Sequence, residues 1–207
     1  MEKPIGILGS NFDPIHLGHL HLALQTQQQL NLEKVKLIPC YQSPLRSLPC
    51  AGALDRAKMI QLAITKYPTL ELDERESQQA RKSYTIDTLR TLRQELPFTP
   101  LVLIMGADAF AGLNNWQEWE KLLEYTHIIV VKRPRAILSD TQHLLSTYQT
   151  ADNNNIHQQL AGTIIVLDIN APDISSSMIR TLLQQKKNVD LLLPGEVKDY
   201  INQHQLY

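Results

Sequence analysis

Short strand-like runs, most of them apolar rather than alternating, recur along the chain at 4–8, 34–39, 69–72, 100–105, 127–131 and 163–167. Longer stretches, in which apolar positions return every three or four residues, lie between and after them. The two patterns imply different elements. A run that is apolar at every position suits a strand buried on both faces, whereas a 3.6-residue period marks an amphipathic helix. On this basis helices are predicted at about 17–30, 54–66, 85–96, 116–125, 175–185 and 195–204. Strands and helices alternate through most of the chain, so the predicted fold class is α/β, a doubly wound and mostly parallel sheet. In such a sheet ligands are expected at the carboxyl ends of the strands, near the topological switch point. One stretch, 139–160, is rich in Gln, Asn and Thr and reads as a helical insertion or a mobile linker. No internal repeat is present, and a single domain over 1–207 is expected, with a small helical subregion at about 172–207.

Composition narrows the class of partner. With 207 residues and a formal net charge of −1, the chain lacks the basic excess of a nucleic-acid footprint. No apolar run approaches the roughly 18 residues needed to span a bilayer. Glu2 and Lys3 lead straight into the first strand, without the apolar core of a signal peptide. A cytoplasmic protein with neither nucleic-acid nor membrane partners is therefore expected. Cys40 and Cys50 belong to no Cys-x-x-Cys pattern and read as reduced thiols.

The chemistry concentrates at the first strand-to-helix junction, Gly9-Ser10-Asn11-Phe12-Asp13-Pro14-Ile15-His16-Leu17-Gly18-His19. A helix N-terminus presents unpaired N–H groups and a partial positive charge, and small residues let a polyphosphate approach the main chain. His16 and His19 are three apart, so in a first helical turn they share a face and both can donate to phosphate oxygens. His16, His19 and His21 also allow a zinc reading, although no cysteine joins them. A second helix start, Ile174-Ser175-Ser176-Ser177-Met178-Ile179-Arg180, offers Ser175 as N-cap, hydroxyls in the first turn, and a guanidinium beyond them.

Together the two motifs resemble those of the nucleotidyltransferases with a His-x-Gly-His signature, whose first motif runs approximately Gly-Gly-Ser/Thr-Phe-Asp-Pro-x-His-x-Gly-His. This chain matches it from Phe12 to His19, with Ser10 and Asn11 in place of the usual Gly and Ser or Thr. The resemblance implies a Rossmann-like nucleotidyltransferase fold. It also implies transfer of a nucleotidyl group from a nucleoside triphosphate to a phosphorylated acceptor, with Mg2+ held mainly by phosphate oxygens and water. No metal site made of protein ligands is implied. His16 and His19 would donate to the ATP phosphates, Ser177 and Arg180 would hold the leaving pyrophosphate, and Arg46 would close on the polyphosphate from a Pro-containing loop. Gly9, Ser10, Asn11, Phe12, Gly18 and Ile174 complete the ATP contacts, together with Gly106 and Asp108 from Met105-Gly106-Ala107-Asp108. Asp108 has two readings, a cap for the following helix or a contact to ribose or metal.

The order Ser83-Tyr84-Thr85, Met105-Gly106-Ala107-Asp108, Trp116, Lys132-Arg133-Pro134 and the second serine motif resembles the bacterial nicotinate-mononucleotide adenylyltransferase family over nearly the whole chain. That resemblance implies ATP and nicotinate mononucleotide as substrates, with Asp13, Arg46, Tyr84, Thr85, Trp116 and Arg133 about the acceptor. Trp116 also suits a core anchor, and Arg133 a solvated strand end. Another phosphorylated acceptor, nicotinamide mononucleotide or phosphopantetheine, and a non-catalytic nucleotide sensor are the alternatives.

Overall fold

The computed structural model describes residues 1–132 and 142–207. Its six strands are β1 (Ile5–Ser10), β2 (Lys34–Pro39), β3 (Leu70–Leu72), β4 (Leu101–Gly106), β5 (His127–Lys132) and β6 (Ile164–Asp168). They form one sheet in the order β3-β2-β1-β4-β5-β6, with every neighbouring pair parallel. The order reverses between β1 and β4, which places the switch point at the carboxyl ends of those two strands.

The helices are α1 (Leu17–Gln29), α2 (Ala53–Ile64), α3 (Thr85–Glu95), α4 (Ala107–Ala111), α5 (Leu122–Tyr125), α6 (Gln142–Tyr148), α7 (Asn155–Gln158), α8 (Ser176–Gln184) and α9 (Gly195–His204). Alternate strand residues feed two cores. Leu8, Val102, Ile104, Ile129 and Val131 pack with Leu20, Met59, Ile60, Ile179, Val197 and Ile201 on the face covered by α1, α2, α8 and α9. Ile7, Leu101, Leu103, Met105, Ile128 and Val130 pack with Ile86, Leu89, Phe110 and Leu122 on the other face. Each such buried side chain contributes roughly 1.5–3 kcal/mol. No helix among the described residues is long and apolar enough to cross a membrane.

The largest departure from the sequence pattern lies after β4. Where one helix is predicted at 116–125, the chain instead forms a 3-10 turn (Trp119–Lys121) and the single turn of α5, preceded by α4 and a first 3-10 turn (Leu113–Asn115). A left-handed Glu118, φ 49°, separates the two 3-10 turns, and no α-helix continues through that conformation. Within 139–160, the described part forms α6 and α7.

At the amino ends of the strands, Arg93 donates from Nη1 to the Leu96 and Thr99 carbonyls and from Nη2 to those of Tyr125 and Leu160. His127, fully buried beside it, pairs its Nε2 with the Gln159 carbonyl at 3.0 Å. The carbonyl only accepts, so Nε2 carries the proton, and the buried Nδ1 has no hydrogen-bond partner among the described residues. Burial, reinforced by the Arg93 charge, holds the His127 pKa below its ordinary 6.5. Between that lowered value and 6.5 the unfolded chain binds more protons than the folded one. The contribution to stability is thus full above about pH 6.5 and shrinks as pH falls below it. Thermal unfolding followed at about pH 8 and about pH 5.5 is expected to show a lower midpoint in acid, and His127→Gln is expected to reduce that difference.

Candidate active site

The site is built on the turn between β1 and α1. His16 is the N-cap of α1, with extended backbone, and the His19 N–H lies 3.0 Å from the His16 carbonyl and 3.3 Å from its Nδ1. An accepting Nδ1 leaves the proton of the neutral ring on Nε2, which makes Nε2 the donor. The two imidazoles stack with centroids 3.7 Å apart, and Phe12 meets His19 edge-on at 4.9 Å. Gly18 packs closely on this arrangement: a Cβ there would stand 3.0 Å from His16 Nδ1 and 3.1 Å from Cε1, so the ring would have to give by a few tenths of an ångström. Gly9 and Gly106 differ in this respect: a Cβ at either would meet nothing within 4 Å. They sit near the carboxyl ends of adjacent strands β1 and β4, where the sheet opens.

Two buried charges hold the turn in shape. Asp13, 3% exposed, accepts the Cys50 N–H at Oδ2 (2.7 Å), and the Ala51 N–H (3.0 Å) and the Tyr207 hydroxyl (2.8 Å) at Oδ1. Burial and the Asp13 charge both push the Tyr207 phenol strongly upward, so it remains a donor. Asp13, expected beside the acceptor, accepts these three hydrogen bonds from the fold itself. Arg56 on α2, 1% exposed, was not anticipated from sequence. Its Nη1 donates to the Asn11 and Cys40 carbonyls, both at 2.7 Å, its Nη2 to Tyr41 O, and its Nε to Ala51 O. The Cys40 thiol, raised to about 11 mainly by burial, donates to Asn11 Oδ1 at 2.7 Å.

The second motif lies against the first. Ser175 caps α8 by accepting the Met178 N–H, Ser176 Oγ donates to the Pro14 carbonyl at 2.9 Å, and Arg180 Nη1 donates to Asp13 O at 2.7 Å. Arg180 also lies 3.6 Å from the Asp13 carboxylate, and the buried Ile174 faces Gly18. Two helix N-termini from opposite ends of the chain thus border one crevice. Ser177 is exposed in the first turn of α8, 3.2 Å from Ser175 Oγ.

Asp108, exposed in the first turn of α4, follows Gly106. Tyr84 and Thr85 begin α3, which is tied to the end of β2 through Tyr41 N–H to Ser83 Oγ (3.0 Å) and Ser83 N–H to Gln42 O (2.9 Å). Trp116 is half-buried, and it packs with Tyr84 against the core that includes Ile86 and Leu113. Arg46 is exposed in the segment between β2 and α2, close enough for its charge to act on Cys40. Arg133 lies outside the described residues. No group of three His, Cys, Asp or Glu side chains among the described residues is placed to hold a metal ion, so the zinc reading of His16, His19 and His21 gains no support.

The cytidylyltransferase-like family is matched over residues 7–182. "Probable nicotinate-nucleotide adenylyltransferase" proteins of Aeromonas salmonicida and Cellvibrio japonicus are 39% and 40% identical to this chain, each aligning with all of it and with 98% and 100% of their own lengths. The chain belongs to the nicotinate-nucleotide adenylyltransferase family. Among solved structures, the Plasmodium falciparum nicotinic acid mononucleotide adenylyltransferase complexed with NaAD has the same fold. Its TM-score is 0.76 at 20% identity, with 100% of this chain and 98% of that one covered. A structure from Vibrio parahaemolyticus gives 0.65 at 18% identity, covering 98% and 93%.

Gly18→Ala tests the close packing directly. The added methyl displaces the His16 ring, and activity is expected to fall by about tenfold or more while the fold persists, a misplacement effect rather than an unfolding one. Steady-state rates set beside a thermal melt distinguish the two.

Proposed function

We propose that this protein transfers the adenylyl group of ATP to nicotinate mononucleotide, giving deamido-NAD and pyrophosphate, a step in NAD synthesis. The observation that carries the reading is the convergence of the α1 and α8 N-termini on one crevice at the β1/β4 switch point, in a chain of this family. We read 1–207 as one nucleotidyltransferase domain whose C-terminal helices complete the phosphate site, and the cytoplasm as its location.

The acceptor phosphate is already an anion near neutral pH, so it attacks the α-phosphorus in line without a general base. The bond from that phosphorus to the β-bridging oxygen breaks, and pyrophosphate leaves with the electron pair. The task left to the protein is orientation and charge neutralisation. His16 and His19 donate to the phosphates, in a geometry fixed by the N-cap and the ring stack. Ser177 and the α8 N-terminus face the leaving group, with Arg180 supplying positive charge beside them. Gly9, Ser10, Asn11, Phe12, Gly18, Gly106, Asp108 and Ile174 line the ATP side, and Arg46 closes over the phosphates from its exposed segment. Tyr84, Thr85 and Trp116 receive the pyridine, with the N–H groups at the start of α3 facing its carboxylate.

Of the carboxylates near the crevice, Asp13 is consumed by its donors and Asp108 is exposed. That donor set suits Mg2+ bound chiefly through phosphate oxygens and water, where the ion neutralises charge on the triphosphate.

The test is magnesium-dependent pyrophosphate release from ATP, with nicotinate mononucleotide, nicotinamide mononucleotide and phosphopantetheine offered separately. Strong preference for the first is expected. Release with another acceptor alone would discard the pyridine assignment, and no release from folded, ATP-binding protein would indicate a sensor. His19→Ala is expected to lower turnover about a hundredfold, as for loss of a transition-state donor.

A further inference from the structure

The two segments assigned to the pyridine come from different crossovers. Thr85 begins α3, before β4, whereas Trp116 follows α4, after β4. A flat ring held between them requires a fixed spacing, yet the Trp116 segment is irregular: a 3-10 turn, an extended Trp116, and then Glu118 in the left-handed region at φ 49° and ψ 39°. A non-glycine residue held there is strained, and its surroundings must impose the conformation.

The carboxylate of Glu118 is bridged to α3. Arg90, five residues beyond Thr85 in the same helix, donates from Nη1 to Glu118 Oε1 at 3.1 Å and from Nη2 to Oε2 at 2.6 Å. A two-point guanidinium–carboxylate fork fixes direction as well as distance, which a single contact does not. The guanidinium also lies 5.9 Å from the centroid of the Tyr125 ring and 3.7 Å from Asp87 on its own helix. On the loop side, Lys121 Nζ reaches Glu118 Oε2 at 2.8 Å, a contact within the loop that does not cross to α3.

We propose that the Arg90–Glu118 fork is a positioning pair for the acceptor, setting the spacing between Thr85 and Trp116 and hence the fit of the pyridine carboxylate ring. The inference rests on the function proposed above and deepens it, because it adds two residues to those assigned there to substrate. Hydrogen bonds from Arg90 and Lys121 hold the Glu118 carboxyl down to about 2, so it remains charged throughout the range in which the enzyme would work. An ion pair whose two side chains are each about a third exposed adds little to stability. Its disruption should therefore appear in acceptor binding rather than in melting.

The test is steady-state kinetics on the full chain with each substrate varied in turn. Arg90→Ala and Glu118→Ala are each expected to raise KM for nicotinate mononucleotide about tenfold and to leave KM for ATP and the thermal midpoint near wild type. The double variant is expected to be no worse than either single one, the signature of one shared interaction. Glu118→Gly removes the carboxylate but relieves the left-handed strain, and is expected to match Glu118→Ala. Arg90→Lys, which keeps the charge and loses the fork, is expected to raise the same KM and serves if an alanine variant folds poorly. Lys121→Ala is expected to behave as wild type. Unchanged acceptor KM in Arg90→Lys or Glu118→Gly, additive effects in the double variant, or equal rises in both KM values would overturn the proposal. A wild-type protein that is active with another acceptor and inert toward nicotinate mononucleotide would overturn this proposal and the function together, whereas an active wild type with unaffected variants would remove the fork's role alone.

Discussion

Everything at the candidate site depends on holding the turn between β1 and α1 in a conformation it would not choose unaided. Phe12 is left-handed at φ 48° although it is a buried aromatic residue, a conformation costing on the order of 1–3 kcal/mol. Two fully desolvated charges maintain it. Arg56 gathers carbonyls from the ends of β1 and β2, and Asp13 gathers the N–H groups of Cys50 and Ala51 and the Tyr207 hydroxyl. Ala51 joins the two, giving its N–H to Asp13 and its carbonyl to Arg56. Burying such groups is expensive unless every donor and acceptor finds a partner, and removing one partner leaves the other uncompensated. A turn built this way is stiff, as a site that works by preorganised donors requires.

From that turn the rest of the site follows by contact. Its main chain offers Asp13 O and Pro14 O to α8, so that helix docks on the loop through Arg180 and Ser176. Its last residue, His16, caps α1 and leaves its ring stacked on His19, with Gly18 making room. The sheet supplies the remaining element, an opening beside β4 where Gly9 and Gly106 place no side chain in the way.

Much of this was legible in the sequence, because the signals concerned are local. Short apolar runs identified all six strands, since most are buried on both faces, β2 and the edge strand β3 keeping half-buried Lys36 and Glu71 among their apolar residues, and the two motifs identified the helix starts that meet. What remained hidden depends on contacts distant in sequence. Nothing around Arg56 distinguishes it from a solvated helix residue; its burial follows from carbonyls 16 and 45 residues away. Asp13 reads as a motif carboxylate facing ligand, and only the return of Tyr207, 194 residues later, shows where its oxygens are spent. The helix expected at 116–125 is broken at Glu118, which is left-handed and is bridged by its carboxylate to Arg90, 28 residues earlier, a contact that the local amphipathic pattern does not report.

The most direct measurement is a crystal structure with a non-hydrolysable ATP analogue and magnesium. The account requires the β- and γ-phosphates between the N-termini of α1 and α8, within hydrogen-bond distance of His16, His19 and Ser177, with the turn from Asn11 to His16 unmoved. Phosphates bound elsewhere on the sheet edge, or a turn that rebuilds on binding and releases Asp13 and Arg56 from their partners, would contradict it.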